Sequence, residues 1–136
     1  MTNNTRTYLA QAGYGNLTAA SGVKIALFTS ASSIGASSTT YAAATGEVAT
    51  GNGYTAGGVT GTLVAAGTTS VTLSLSANAT WTANGGSLVA YYVVIYAAGS
   101  GDILAYFNLD ASPATVTVTS GNPLTVSNAN PVITIA

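Results

Sequence analysis

Polar and apolar residues alternate with period two along much of the chain, the pattern of strands buried on one face. The clearest run is residues 70–76, where Val71, Leu73 and Leu75 fall on one side and Thr72 and Ser74 on the other. Residues 23–29 repeat the pattern with Val23, Ile25 and Leu27. Residues 59–65, 103–109, 115–119, 124–127 and 132–135 read as further strands, and Thr80-Trp81-Thr82 as a short one before the Asn84-Gly85-Gly86 turn. Residues 88–97 are almost continuously apolar and rich in β-branched and aromatic side chains, which predicts one central strand covered on both faces. Pro113, Pro123 and Pro131 fall at predicted strand starts, where a missing N–H does least harm.

About eight or nine short strands separated by turn residues predict an all-β fold. The expected architecture is a single-domain antiparallel β-sandwich or barrel, jelly-roll-like, over residues 23–136. Residues 1–22 would be an N-terminal arm or short helix: Thr5 suits an N-cap, and Tyr8, Leu9 and Ala12 share a face. Residues 30–44 form a long loop of small residues with Ile34 and Tyr41 as its only bulky anchors. Such length marks a binding loop, an arm or a disordered segment, ordered by a partner. The predicted core is Val23, Ile25, Leu27, Val71, Leu73, Leu75, Trp81, Val93, Ile95, Leu104 and Leu124.

Composition narrows the chemistry. At 136 residues the chain is long enough for a core without staples. It has no cysteine, so neither disulfides nor thiolate metal sites form, and no histidine to serve as a base near neutrality. Only 4% of residues are charged, against roughly 25% in average domains. Two cations, Arg6 and Lys24, make no basic patch, so neither nucleic acid nor a membrane surface is an expected partner. The longest apolar run, residues 88–98, is about half the length of a spanning helix, and no signal-peptide pattern precedes the strands.

The many Ser and Thr hydroxyls have no base to activate them, so the chain is not expected to be an enzyme. Glu47, Asp102 and Asp110 are the three carboxylates. Asp102 and Asp110 stand in turn contexts, and no calcium-loop spacing is present, so no metal or other cofactor is expected. The Thr-x-Thr run at 115–119 reads as an exposed sheet face, and Tyr91, Tyr92, Tyr96 and Tyr106 as core and interface residues before a sugar platform.

One segment stands apart. Glu47 precedes Gly51-Asn52-Gly53-Tyr54-Thr55-Ala56-Gly57-Gly58, a turn with four glycines around one tyrosine. Gly51 and Gly53 permit backbone conformations closed to other residues, and Tyr54 can anchor the turn in a core. Glu47 is expected to hold the turn by accepting backbone N–H bonds or pairing with Lys24 or Arg6. Glu47, Gly51, Gly53, Tyr54, Gly57 and Gly58 are therefore the candidate site, as a structural turn.

With the run Val23-Lys24-Ile25-Ala26-Leu27-Phe28-Thr29-Ser30 this segment resembles small structural proteins of tailed-phage virions. Trp81, Tyr92-Val93-Val94-Ile95-Tyr96, Asp102-Ile103-Leu104-Ala105-Tyr106-Phe107 and the ending 118–135 extend the resemblance over most of the chain from Val23 onward. It implies a non-enzymatic virion component, foremost a capsid decoration (cement) protein that contacts the major capsid protein or other virion proteins. A homo-oligomer, with a trimer favoured, is implied too. The alternatives are a tail or fibre component, or a secreted β-sandwich module binding carbohydrate or a surface.

Overall fold

The structure is a computed structural model, described here for residues 22–67 and 69–135. Eleven strands follow in order: β1 (Val23–Phe28), β2 (Val59–Gly61), β3 (Leu63–Ala66), β4 (Val71–Leu75), β5 (Ala79–Thr82), β6 (Leu88–Ala90), β7 (Tyr92–Ala97), β8 (Ile103–Asn108), β9 (Val116–Val118), β10 (Pro123–Val126) and β11 (Pro131–Ile135). The described residues contain no α-helix, only a 3-10 turn at Tyr41–Ala43. The expected helix at residues 5–12, and the arm 1–22 apart from Gly22, lie outside the described residues.

All strand pairs are antiparallel. The central sheet has the order β2-β1-β7-β8, and three smaller sheets, β11-β4-β3, β10-β5 and β6-β9, pack against it. The result is a β-sandwich-like single domain. One core unites the sheets. Val23, Ile25 and Leu27 of β1 and Val93, Ile95 and Ala97 of β7 meet Leu63, Leu73, Leu75, Trp81, Leu88, Leu124 and Val126 from the opposing strands. Ten of the eleven predicted core residues are buried. Leu104 is half-buried and packs against this core from the edge strand β8.

Two predicted strands are each divided in the structure. Residues 59–65 break at Thr62, so that β2 joins the central sheet and β3 the β11-β4-β3 sheet. Residues 88–97 break at Tyr91, so that β6 pairs with β9 while β7 pairs with β1 and β8. A bend that carries one chain from sheet to sheet makes a corner of the sandwich, and both runs are used that way. At Tyr91 the backbone remains bonded: its N–H donates to Phe28 O at 2.8 Å and its carbonyl accepts from Leu109 N at 2.9 Å. The double coverage expected of residues 88–97 holds for β7. Pro123 and Pro131 open strands, whereas Pro113 lies in the loop before β9.

The second face of the β1–β7 pair is covered by the 30–44 segment. Ala26, Phe28, Val94 and Tyr96 form a second cluster with Ile34, flanked by Tyr41, Ala44, Tyr92 and Ile103. The expected arm is thus a strap folded onto its own sheet. Its two bulky residues supply the apolar contacts, and its backbone pairs at both ends. Thr29 N donates to Gly46 O at 2.9 Å and Ser33 N to Thr45 O at 3.0 Å. Farther along, Tyr41 N donates to Gly101 O at 2.8 Å and Ile103 N to Thr39 O at 2.9 Å. Within the chain the segment buries Ile34 and pairs part of its backbone.

Candidate functional site: the Glu47 cluster

The edge of β1 explains why the glycine-rich turn exists. β2 pairs with β1 only along Val23, Lys24 and Ile25. Beyond Ile25 the same edge is taken by residues 46–48: Phe28 bridges Glu47, and Val48 N donates to Leu27 O at 2.9 Å. Between Val48 and Val59 the chain leaves the edge and returns. The excursion leaves Leu27 N–H without a backbone partner on that side. Tyr54 fills the gap, because its hydroxyl accepts from Leu27 N at 3.0 Å. A phenol here stands in for a strand carbonyl.

The excursion is a tight hairpin. Gly51 and Tyr54 exchange both backbone hydrogen bonds at 2.9 Å. Asn52 (φ 52°) and Gly53 (φ 89°) are its central residues, the positive-φ pair of a type I′ turn. The return depends on Gly58 (φ 71°), where a Cβ would fall on the Ile25 carbonyl. The Asn-Gly signal lies openly in the sequence but is hard to single out among four glycines.

Tyr54 is 2% exposed, and its ring lies 6.1 Å from Trp81. Its hydroxyl donates to Glu47 Oε1 at 2.7 Å, and Gly57 N donates to the same oxygen at 2.7 Å. Glu47 Oε2 accepts from the Tyr41 hydroxyl at 2.5 Å. Tyr41 stacks on Tyr96, with ring centroids 4.4 Å apart and planes at 8°, and the Tyr96 hydroxyl donates to Gly57 O at 2.8 Å. One half-buried carboxylate therefore ties the strap, the hairpin and the central sheet together. The expected backbone bond to Glu47 is present. The expected pairing with Lys24 is not; two phenols take that place, and Arg6 lies outside the described residues.

Burial and, after it, the Glu47 carboxylate hold the Tyr41 phenol well above its usual range. Burial dominates for Tyr54 too, where the Glu47 contribution is opposed by the hydrogen bond from Leu27. Tyr96 is raised by burial and the Glu47 charge. All three phenols stay neutral donors, the form a carboxylate acceptor favours.

Of the expected site residues, Glu47, Tyr54 and Gly57 meet directly, while Gly51, Gly53 and Gly58 shape the backbone that brings them together. Tyr41 and Tyr96 were not expected in this cluster. Both are separated from it by stretches whose path only the folded sheet reveals. Asp102 and Asp110 are elsewhere. Asp110 Oδ1 accepts from Ser112 N at 2.9 Å, the expected turn role. The Asp102 turn has Ser100 Oγ accepting from Asp102 N at 3.3 Å, with the serine rather than the carboxylate as acceptor. Among the described residues no group of three or more acidic or sulfur and imidazole ligands comes together. No helix there is long and apolar enough to cross a membrane.

As chemistry, the cluster holds rather than reacts. The carboxylate has three donors, and the Tyr54 oxygen is engaged on both sides. A second feature is a surface groove of about 480 Å³ between β8 and β10–β11, beside Tyr106 and Phe107, which are 39% and 38% exposed. The chain matches no protein-family model, no curated protein and no solved structure.

Proposed function

We propose that this chain is a structural, non-enzymatic component of a tailed-phage virion, foremost a capsid decoration protein held by contacts with the major capsid protein. The observation that carries the reading is the Glu47 cluster. The residues on which the resemblance is most specific, Glu47 and the turn ending in Gly57-Gly58, form one interdependent unit joined to the sheet through Tyr54. The composition supports an assembled state. A chain with five charged residues in 136 has little electrostatic protection against association, and depleted charge with abundant tyrosine is typical of interface cores. We therefore propose a homo-oligomer, with a trimer favoured by the resemblance.

The test is co-sedimentation of the purified chain with capsids assembled from a tailed-phage major capsid protein, with sedimentation equilibrium of the chain alone. Saturable binding to heads and a defined oligomer are expected. Recovery only with tails would move the chain to the tail alternative. A dispersed monomer that binds neither would overturn the reading. The exposed Tyr106 and Phe107 beside the groove favour a second reading, a secreted carbohydrate-binding module. Retention on polysaccharide matrices that is lost in Tyr106→Ala would support it.

A further inference from the structure

Two asparagines in the chain, Asn52 and Asn84, are followed by glycine. Without a Cβ, the glycine leaves its backbone nitrogen the least hindered approach to the preceding side-chain carbonyl. The fold treats the two sites differently. Asn52 is clamped: its Nδ2 donates to Ser87 O at 3.0 Å, its backbone carbonyl accepts from Asn84 N at 3.2 Å, and its side chain lies against Gly86. Its backbone is fixed by the paired hydrogen bonds of the Gly51–Tyr54 hairpin. Asn84 is the platform for that clamp; both asparagines are exposed, so the difference between them lies in the hydrogen bonds that hold Asn52. It lies in the Asn84-Gly85-Gly86 turn between β5 and β6, with Gly85 at φ 80°.

We propose that Asn84 is a site of self-modification, converting from amide to carboxylate without an enzyme, while Asn52 is protected by the fold. The Gly85 backbone nitrogen attacks Asn84 Cγ. The N–Cγ bond forms, the Cγ–Nδ2 bond breaks, and ammonia leaves with the proton given up by the Gly85 amide. Water opens the resulting cyclic imide at either carbonyl, yielding aspartate or its β-linked isomer. The balance is one water consumed and one ammonia released, with no change of oxidation state.

The product has a definite address. The new charge appears beside the backbone N–H that holds the Asn52 carbonyl, and the β-linked isomer lengthens the backbone there. Conversion therefore loosens the seat of the hairpin that carries Tyr54 to Glu47. It also doubles the formal net charge of −1. The inference is independent of where the chain assembles.

The experiment incubates the intact folded chain in mildly alkaline buffer made with heavy-oxygen water and maps chymotryptic peptides by mass spectrometry. A parallel sample is held unfolded in urea. Label is expected at residue 84 in the folded chain, about ten-fold faster than at residue 52, since opening Asn52 first breaks hydrogen bonds of ordinary strength. In urea the two rates should converge, because both sites precede glycine. Asn84→Gln should abolish label at 84 while residue 52 keeps its slow rate. Equal rates in the folded chain, or a residue 84 that stays unlabelled when folded yet converts in urea, would overturn the proposal.

Discussion

The most consequential single side chain is that of Glu47, because three donors from two segments, the strap and the glycine-rich turn, converge on it. Glu47→Gln keeps the shape, removes the charge and turns one acceptor into a donor facing a donor. It is expected to cost about 1–3 kcal/mol in urea unfolding; an unchanged midpoint would show that water serves these donors equally well. Tyr54→Phe is expected to cost about as much by a different route, since it leaves the buried Leu27 N–H without its acceptor. Tyr41→Phe retains the stack on Tyr96 and should cost less than Tyr54→Phe. The reverse order would place the weight on the strap. The same phenols predict a pH dependence. Each binds its proton more tightly in the folded chain than in the unfolded one. Their contribution is complete below the unfolded value of about 10 and declines as pH rises beyond it. Spectrophotometric titration should show Tyr41, Tyr54 and Tyr96 ionising late, in step with loss of stability. Normal titration of all tyrosines in a chain still folded would contradict this.

At the scale of elements, alternation was the legible signal. In β4 the phase of Val71, Leu73 and Leu75 could be read directly, and all three are buried. Leu73→Ala is expected to cost about 2–5 kcal/mol, and Leu104→Ala distinctly less, because Leu104 is only half-buried on the edge strand. Chemical denaturation of the pair tests whether edge and centre differ as the sheet order implies. Continuous apolar runs were legible as strands but not as two strands. In residues 88–97 no polar position marks the bend at Tyr91, and in residues 59–65 Thr62 continues the alternation instead of interrupting it, so both breaks depend on which sheet each half pairs with. The strap was visible as a segment with two anchors, Ile34 and Tyr41. What they cover is the even-numbered face of β1 and β7, a tertiary fact. Glu47 and its turn could be singled out as unusual, and one of its three partners, a backbone N–H, anticipated in kind. The two phenols could not: Tyr54 stood out as an anchor but not as a donor to Glu47, and nothing local distinguishes Tyr41 from other tyrosines.

For the whole molecule, the order of strands in the central sheet has a temporal meaning. β1 runs along β7 from Val23 opposite Ala97 to Phe28 opposite Tyr92. The other long ladders, β4 with β11 and β5 with β10, also join distant parts of the chain. Each ladder must close a large loop before its contacts repay the lost entropy, so folding should be slow for a domain of this size, in the range of milliseconds to seconds. Stopped-flow refolding followed by Trp81 fluorescence would measure it, and a microsecond phase carrying the full amplitude would refute it. During synthesis the consequence is sharper. The first strand of the sandwich emerges early, yet its long-ladder neighbour is not made until Ala97 has left the ribosome. Until then Ile25, Leu27 and Phe28 have partners on one edge only, and the nascent chain carries an unfinished, nearly chargeless edge through most of its own translation.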